Sequence, residues 1–184
     1  MKLMDGIDLD ALNQTVSMVT EKPELAQFNF KTSNHWINGT HSQASVQTFY
    51  GAGREDTTRT MPLRFDEDEP PILLGNNQGA NPVEYVLVGL SGCLTTSLVA
   101  QAAARGIRLK SVESNIEGDL DIRGFLGVAE NVRNGFQNIR VNFKIDADAP
   151  EEVINELVQL AQQRSPVFDV ITHGAPVSVA FQKV

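Results

Sequence analysis

The chain has 184 residues, 41% of them apolar and 21% charged, with a formal net charge of −8. That length suits one domain of ordinary size, and the composition excludes a disordered or fibrous chain. The acidic balance excludes a protein built to hold nucleic acid or an anionic membrane surface, since both tasks need basic patches to meet phosphates.

The opening MKLMDGIDLD lacks the apolar stretch of a secretory signal, and a lone cysteine forms no disulfide within the chain, so a cytoplasmic location is expected. Ile7, Leu9, Leu12, Val16 and Val19 recur at helical spacing and predict a short amphipathic helix over 7–20, with Pro23 limiting its extension. From Phe28 to Phe65 the pattern changes to short alternating runs, with Gly39, Gly51 and Gly53 between them, which predicts an antiparallel meander. Residues 66–80, DEDEPPILLGNNQGA, read as a surface loop whose acidic run Asp66–Glu69 is solvated.

A helix follows over residues 81–106. Asn81 is its N-cap, Pro82 its first helical residue and Glu84 the reciprocal member of a capping box; Gly106 ends it and Arg105 complements its C-terminal dipole. The run between Glu84 and Gln101 is uncharged but holds Ser, Thr and two Gly, so it reads as a buried helix of a soluble protein, not a membrane span. Its apolar positions cover more than one stripe, and Gly89 and Gly92 leave room for a neighbouring backbone, as in a helix buried on several sides or shared in a homodimer.

Strands are predicted over 107–124, alternating at Val112, Ser114, Ile116, Leu120 and Ile122, and over 136–146, with Ile139, Val141, Phe143 and Ile145 on one face. A second helix covers 150–163, with Val153, Leu157, Leu160 and Ala161 as its core stripe, and a last strand covers 176–184. The pattern is a single α+β domain over 1–184, with antiparallel sheet packed on two principal helices and residues 1–30 as an N-terminal helical extension.

Cys93, the one cysteine of the chain, is either a small packing residue or a nucleophile acting as its thiolate. It stands 12 residues beyond Asn81, too far for the helix dipole to activate the sulfur, so a cation from elsewhere is required. Arg54, in FYGAGRED, can be aimed inward by its glycine turn and stays charged when desolvated; alternatively it belongs to a solvated hairpin tip with Glu55 and Asp56, and Arg59 and Arg64 are rivals. His35, His41 and His173 are scattered and form no metal-ligand spacing with the cysteine, although a Cys93–His173 pair meeting in space is conceivable.

The segment GANPVEYVLVGLSGCLTTSL, followed 72 residues after the cysteine by SPVFDVITHGAPVSVAF, resembles the OsmC/Ohr family of osmotically inducible and organic-hydroperoxide-resistance proteins, over residues 44–184. The resemblance implies an intertwined α+β homodimer and a thiol peroxidase that reduces organic hydroperoxides in oxidative stress defence. It implies Cys93 as the peroxide-reacting thiol, Arg54 as the residue that stabilises its thiolate, and Glu84 as the nearest match to the family's glutamate near the helix start. That glutamate usually stands ten residues before the cysteine, where this chain has Val83; Glu84 stands nine before.

Ser165 stands where such proteins carry a second, resolving cysteine, so a one-cysteine cycle is implied, with no cofactor and with an external thiol as reductant. The alternative is a non-catalytic dimeric binding protein for a hydrophobic small molecule on the same fold; a purely structural or regulatory dimer is a third reading.

Overall fold

The computed structural model describes residues 3–183 and divides the chain into two compact units, Met1–Val86 and Leu87–Val184. Antiparallel sheets and helices occur in both, so the α+β class holds.

In the first unit, strands β1 (Leu3–Met4) and β2 (Ile7–Asp8) lead into helix α1 (Leu9–Glu21). Asp8 caps α1 by accepting from the Asp10 and Ala11 N–H groups, and a 3₁₀ turn follows at Pro23–Ala26, with the proline in its first turn, where no N–H is needed. Six strands come next: β3 (Asn29–Phe30), β4 (Ser33–Asn38), β5 (His41–Val46), β6 (Phe49–Gly51), β7 (Arg54–Asp56) and β8 (Leu63–Glu67). They are antiparallel but do not form one meander. The β4–β5 hairpin joins β8 in one sheet, while β3, β6 and β7 make another. Gly39 and Gly53 occupy turns with positive φ, whereas Gly51 lies within β6 and is buried. Its reason is contact: a Cβ there would strike the Phe28 ring.

The acidic run is not a solvated loop. Asp68 is 1% exposed, and its carboxylate accepts from Thr40 Oγ1 at 2.6 Å and from the N–H groups of Glu69, Asn76 and Gln78 at 2.9, 2.9 and 3.1 Å. Those bonds draw residues 69–78 around one anion and hold the Asp68 carboxyl far below the usual carboxylate range, the Thr40 hydroxyl being the largest cause. Gly75 and Gly79 sit so close to the Glu69 and Asp66 carbonyls that no side chain fits. Asp66 accepts from His41 and Gln43, Glu67 from Ser42 and Asn34, and Glu69 from Asn81. Every member of the run is engaged, because paired carboxylates tolerate partial burial that free ones do not.

Helix α2 spans Pro82–Ala104 and ends in a Schellman turn, with Gly106 at φ 70° and the Ile107 N–H on the Ala102 carbonyl at 2.9 Å. At 23 residues it is long and apolar enough to cross a membrane by length and composition. Its burial is nevertheless organised as one stripe, Leu90, Leu94, Leu98 and Ala102 at i, i+4 spacing with Ala103 beside it. Burial on several sides is not seen within one chain: Val86 is 39% and Val88 59% exposed, and no side chain lies where a Gly92 Cβ would be.

In the second unit, β9 (Leu109–Asp119) pairs with β10 (Asn138–Ala147). Val112, Ile116, Val141, Phe143 and Ile145 line the half-buried face, as their alternation predicts. β9 stops at Asp119, and Ile122–Phe125 form a short helix, α3, capped by Asp121, where alternation alone suggests continued strand. Helix α4 (Glu151–Arg164) buries Leu157 and Ala161, and α5 (Pro166–His173) follows at once. The predicted strand over 176–184 is not formed. Its described residues, 176–183, are exposed and join no ladder, because an extended segment becomes a strand only beside a partner edge; Val184 lies outside the described residues.

Candidate active site

Cys93 is half-buried and forms no disulfide. At about 100° per residue it falls on the flank of α2, between the Leu90–Leu94–Leu98 stripe and an open side formed by Val88, Gly89, Gly92 and Thr96. The small residues beside it leave the sulfur approachable, which an attacking thiol requires.

The helix start is built as a reciprocal cap. Asn81 Oδ1 accepts from the Val83 N–H at 2.9 Å, and Glu84 Oε2 accepts from the Asn81 N–H at 2.8 Å. The amide of Asn81 donates in turn to Glu69, so the cap is tied to the Asp68-centred loop. Tyr85, in the first turn, donates its hydroxyl to the Asp66 carbonyl at 2.8 Å and packs edge-on against Phe65, with centroids 6.2 Å apart.

Arg54 opens β7 directly after the two positive-φ residues Ala52 and Gly53, and pairs across the hairpin with Gly51. Its guanidinium is exposed and in no hydrogen bond or ion pair among the described residues. Asp56, two residues on, is held below the usual carboxylate range chiefly by the hydroxyl and N–H of Thr58, with smaller contributions from Arg54 and Arg59. The rival arginines are occupied: Arg59 lies over the Phe49 ring at 5.8 Å, and Arg64 donates to Gln43 at 2.8 Å. The hairpin-tip glutamate, Glu55, pairs with Lys31 at 2.9 Å.

Alternation places Arg54, Gly51, Phe49, Phe30 and Phe28 on one face of the β3–β6–β7 sheet, a clustering the sequence reading missed. The signal was present in the alternating pairs Phe28/Phe30 and Phe49/Gly51, but the pairing of β3 with β6 across an intervening hairpin could not be read from spacing.

Ser165 is 2% exposed, and its hydroxyl accepts from the Phe168 N–H at 3.2 Å, so it is the N-cap of α5 with Pro166 at the first helical position. His173 is exposed and bonded to Asp169 at 3.0 Å and Thr172 at 3.1 Å. Arg54 and Glu84 thus belong to the first unit, and Cys93, Ser165 and His173 to the second.

A family model described as OsmC-like protein matches residues 75–180. Among solved structures, the fold is similar to an OsmC-like protein from Mycoplasma pneumoniae, with a TM-score of 0.60, 15% identity, and coverage of 79% of this chain and 88% of that one. It is similar also to a Legionella pneumophila organic hydroperoxide resistance protein OsmC, with a TM-score of 0.56, 18% identity, and coverage of 79% and 91%. An organic hydroperoxide resistance protein from Elizabethkingia anophelis matches with a TM-score of 0.51, 18% identity, and coverage of 78% and 89%. Among curated proteins, none matches the chain.

Proposed function

The chain belongs to the OsmC-like family, and from that premise we propose that it is a thiol peroxidase that reduces organic hydroperoxides through Cys93, in defence against oxidative stress. The observation that carries this reading is the sulfur itself: the sole thiol of the chain, half-buried, on the flank of the family's central helix beside small residues. The solved relatives named for organic hydroperoxide resistance support it.

In the proposed reaction the Cys93 thiolate attacks the outer oxygen of R–O–O–H. The S–O bond forms as the O–O bond breaks; sulfur is oxidised by two electrons to the sulfenic acid, and the organic oxygen leaves as an alkoxide that takes a proton to become the alcohol. Arg54 supplies the positive charge that holds the thiolate and meets the charge developing on the leaving oxygen. Glu84 serves through its bond to the Asn81 N–H, which fixes the start of the helix that carries the sulfur. With Ser165 at the second-cysteine position, two equivalents of an external thiol complete the cycle: the first condenses with the sulfenic acid and releases water, and the second releases a disulfide and restores Cys93.

The active form is proposed to be a homodimer. The open side of α2 and the tail residues Val177, Val179 and Phe181, 82%, 91% and 93% exposed, support it, because that much apolar surface is ordinarily covered. Sedimentation equilibrium at micromolar concentration is expected to report twice the chain mass.

The test of the chemistry is to treat the reduced protein with cumene or tert-butyl hydroperoxide in the presence of dimedone and map the adduct. A single adduct at Cys93 is expected, and its absence would remove the peroxidase reading. The engagement of Ser165 and Glu84 as helix caps favours a second reading, a dimeric binding protein for a hydrophobic small molecule. In that case an apolar ligand co-purifies equally with the Cys93→Ser variant.

A further inference from the structure

We propose that the polar face of the β4–β5–β8 sheet binds the phosphate group of a small phosphate monoester, held by Arg64 and His35. The site lies wholly within the first unit and does not rest on the peroxidase reading. Register sorts the side chains of this sheet onto two unlike faces. Ser33 pairs with Ser45 and Ser45 with Arg64; two positions along, His35 pairs with Gln43 and Gln43 with Asp66. Alternation puts Trp36, Ala44, Val46, Leu63 and Phe65 on the opposite face, where Tyr85 packs edge-on against Phe65. The polar face carries an open groove of about 410 Å³ whose lining includes Ser33, His35, Gln43, Ser45 and Arg64.

The groove holds spare donors. Arg64 is oriented without being used up: one N–H on Nη1 donates to Gln43 Oε1 at 2.8 Å, and the Nε–Nη2 edge has no partner among the described residues. Gln43 is fixed in that sense because its amide N–H donates to Asp66 at 3.1 Å, which turns its oxygen to Arg64. Asp66 also bonds His41 at 2.9 Å; these two bonds, His41 first, hold its carboxyl below the usual range, and Arg64 contributes least. The His35 ring has no hydrogen-bond partner among the described residues. In the Ser33–Ser45 pair, 2.9 Å apart, one hydroxyl donates and the other keeps its proton free.

Spare donors from three strands suit an anion. The chain itself shows the free edge in use elsewhere: Arg123 offers Nε and Nη2 to the two oxygens of Asp121 at 3.0 and 2.5 Å. A carboxylate has two oxygens, and such a fork alone satisfies them, leaving His35 and the serine hydroxyl idle. A phosphate monoester presents three terminal oxygens and accepts from the fork, the imidazole N–H and the hydroxyl together. A protein surface laid here would bury the guanidinium without a partner unless it brought an anion of its own, which is costly.

The full chain is titrated with inorganic phosphate and with phenyl phosphate at constant ionic strength, with chloride and acetate as reference anions. The Arg64 Nε–H, His35 ring and Ser45 N–H signals are followed by NMR. Saturable movement is expected with both phosphates. Arg64→Gln is expected to weaken binding by about tenfold or more, the worth of a charge-assisted hydrogen bond, and His35→Ala by about 2- to 10-fold. Arg64→Lys keeps the charge without the fork and should restore only part of the loss.

Arg64 and His35 are both exposed, so their replacement spares the fold, and His35→Ala leaves the Arg64–Gln43 bond in place. The proposal is overturned if neither phosphate moves these signals, if chloride or acetate moves them at the same concentrations, or if Arg64→Gln and His35→Ala bind like the parent protein. Binding of inorganic phosphate without phenyl phosphate would mean an adventitious ion only, and would overturn it as well.

Discussion

Thr40 donates its hydroxyl to the Asp68 carboxylate at 2.6 Å, joining the β4–β5 turn to the loop that precedes helix α2. A side chain that is 1% exposed and accepts three backbone N–H groups as well is the centre of that loop. Its folded-state pKa is depressed, so it binds its proton more readily in the unfolded chain. The stabilisation is therefore present above the unfolded value, about 4, and is lost as pH falls below it. Asp68→Asn is expected to lower the melting temperature at pH 7 and to flatten its decline under acid, checked by thermal unfolding from pH 7 to pH 2. An unchanged acid limb would show that other carboxylates govern it.

Ser165, which the resemblance sets at the second-cysteine position, acts as a helix cap. Ser165→Ala is expected to cost about 1 kcal/mol of stability, the usual worth of an N-cap, and to leave the rate of Cys93 oxidation unchanged. Stopped-flow oxidation alongside thermal melts separates the two, and slowed oxidation in a fully stable variant would assign the hydroxyl a chemical role.

Gly51 is required by the ring of Phe28. Gly51→Ala is expected to cost about 1–3 kcal/mol, the range for overpacking a filled site. In the Phe28→Ala background the added methyl has room, so the two substitutions together should cost less than the sum of each alone. Additive losses in denaturant unfolding would place the strain elsewhere.

Arg54 is the proposed cation of the site. Arg54→Gln is expected to slow alkylation of Cys93 by iodoacetamide at neutral pH by about tenfold or more, the effect of removing one close opposite charge from a thiolate. Arg64→Gln, which removes the bond to Gln43 and a charge near Asp66, should leave the rate within about twofold. Equal rates in both variants would exclude Arg54 from the role.

Local signals carried most elements. The Asn81–Pro82–Glu84 cap, the Gly106 stop, the one-faced alternation of Ile139, Val141, Phe143 and Ile145 and the stripe of the second helix all appear where the residues predict them. Each depends on neighbours within a few positions, and that is the range over which caps and periodicity act. The errors share one cause. Residues 176–183 alternate like a strand but have no edge to join, and the β4–β5 hairpin inserted between β3 and β6 turns an apparent meander into two sheets.

By itself the sequence determined the α+β class, the helix that carries Cys93, and the absence of a second thiol, because composition and short-range pattern suffice for these. Tertiary structure alone decided that Asp68 is an interior anion and not a solvated charge, and that Arg54 shares its sheet face with three phenylalanines. In each case the outcome depends on which distant backbone groups and rings arrive beside the side chain, and linear spacing does not encode that meeting.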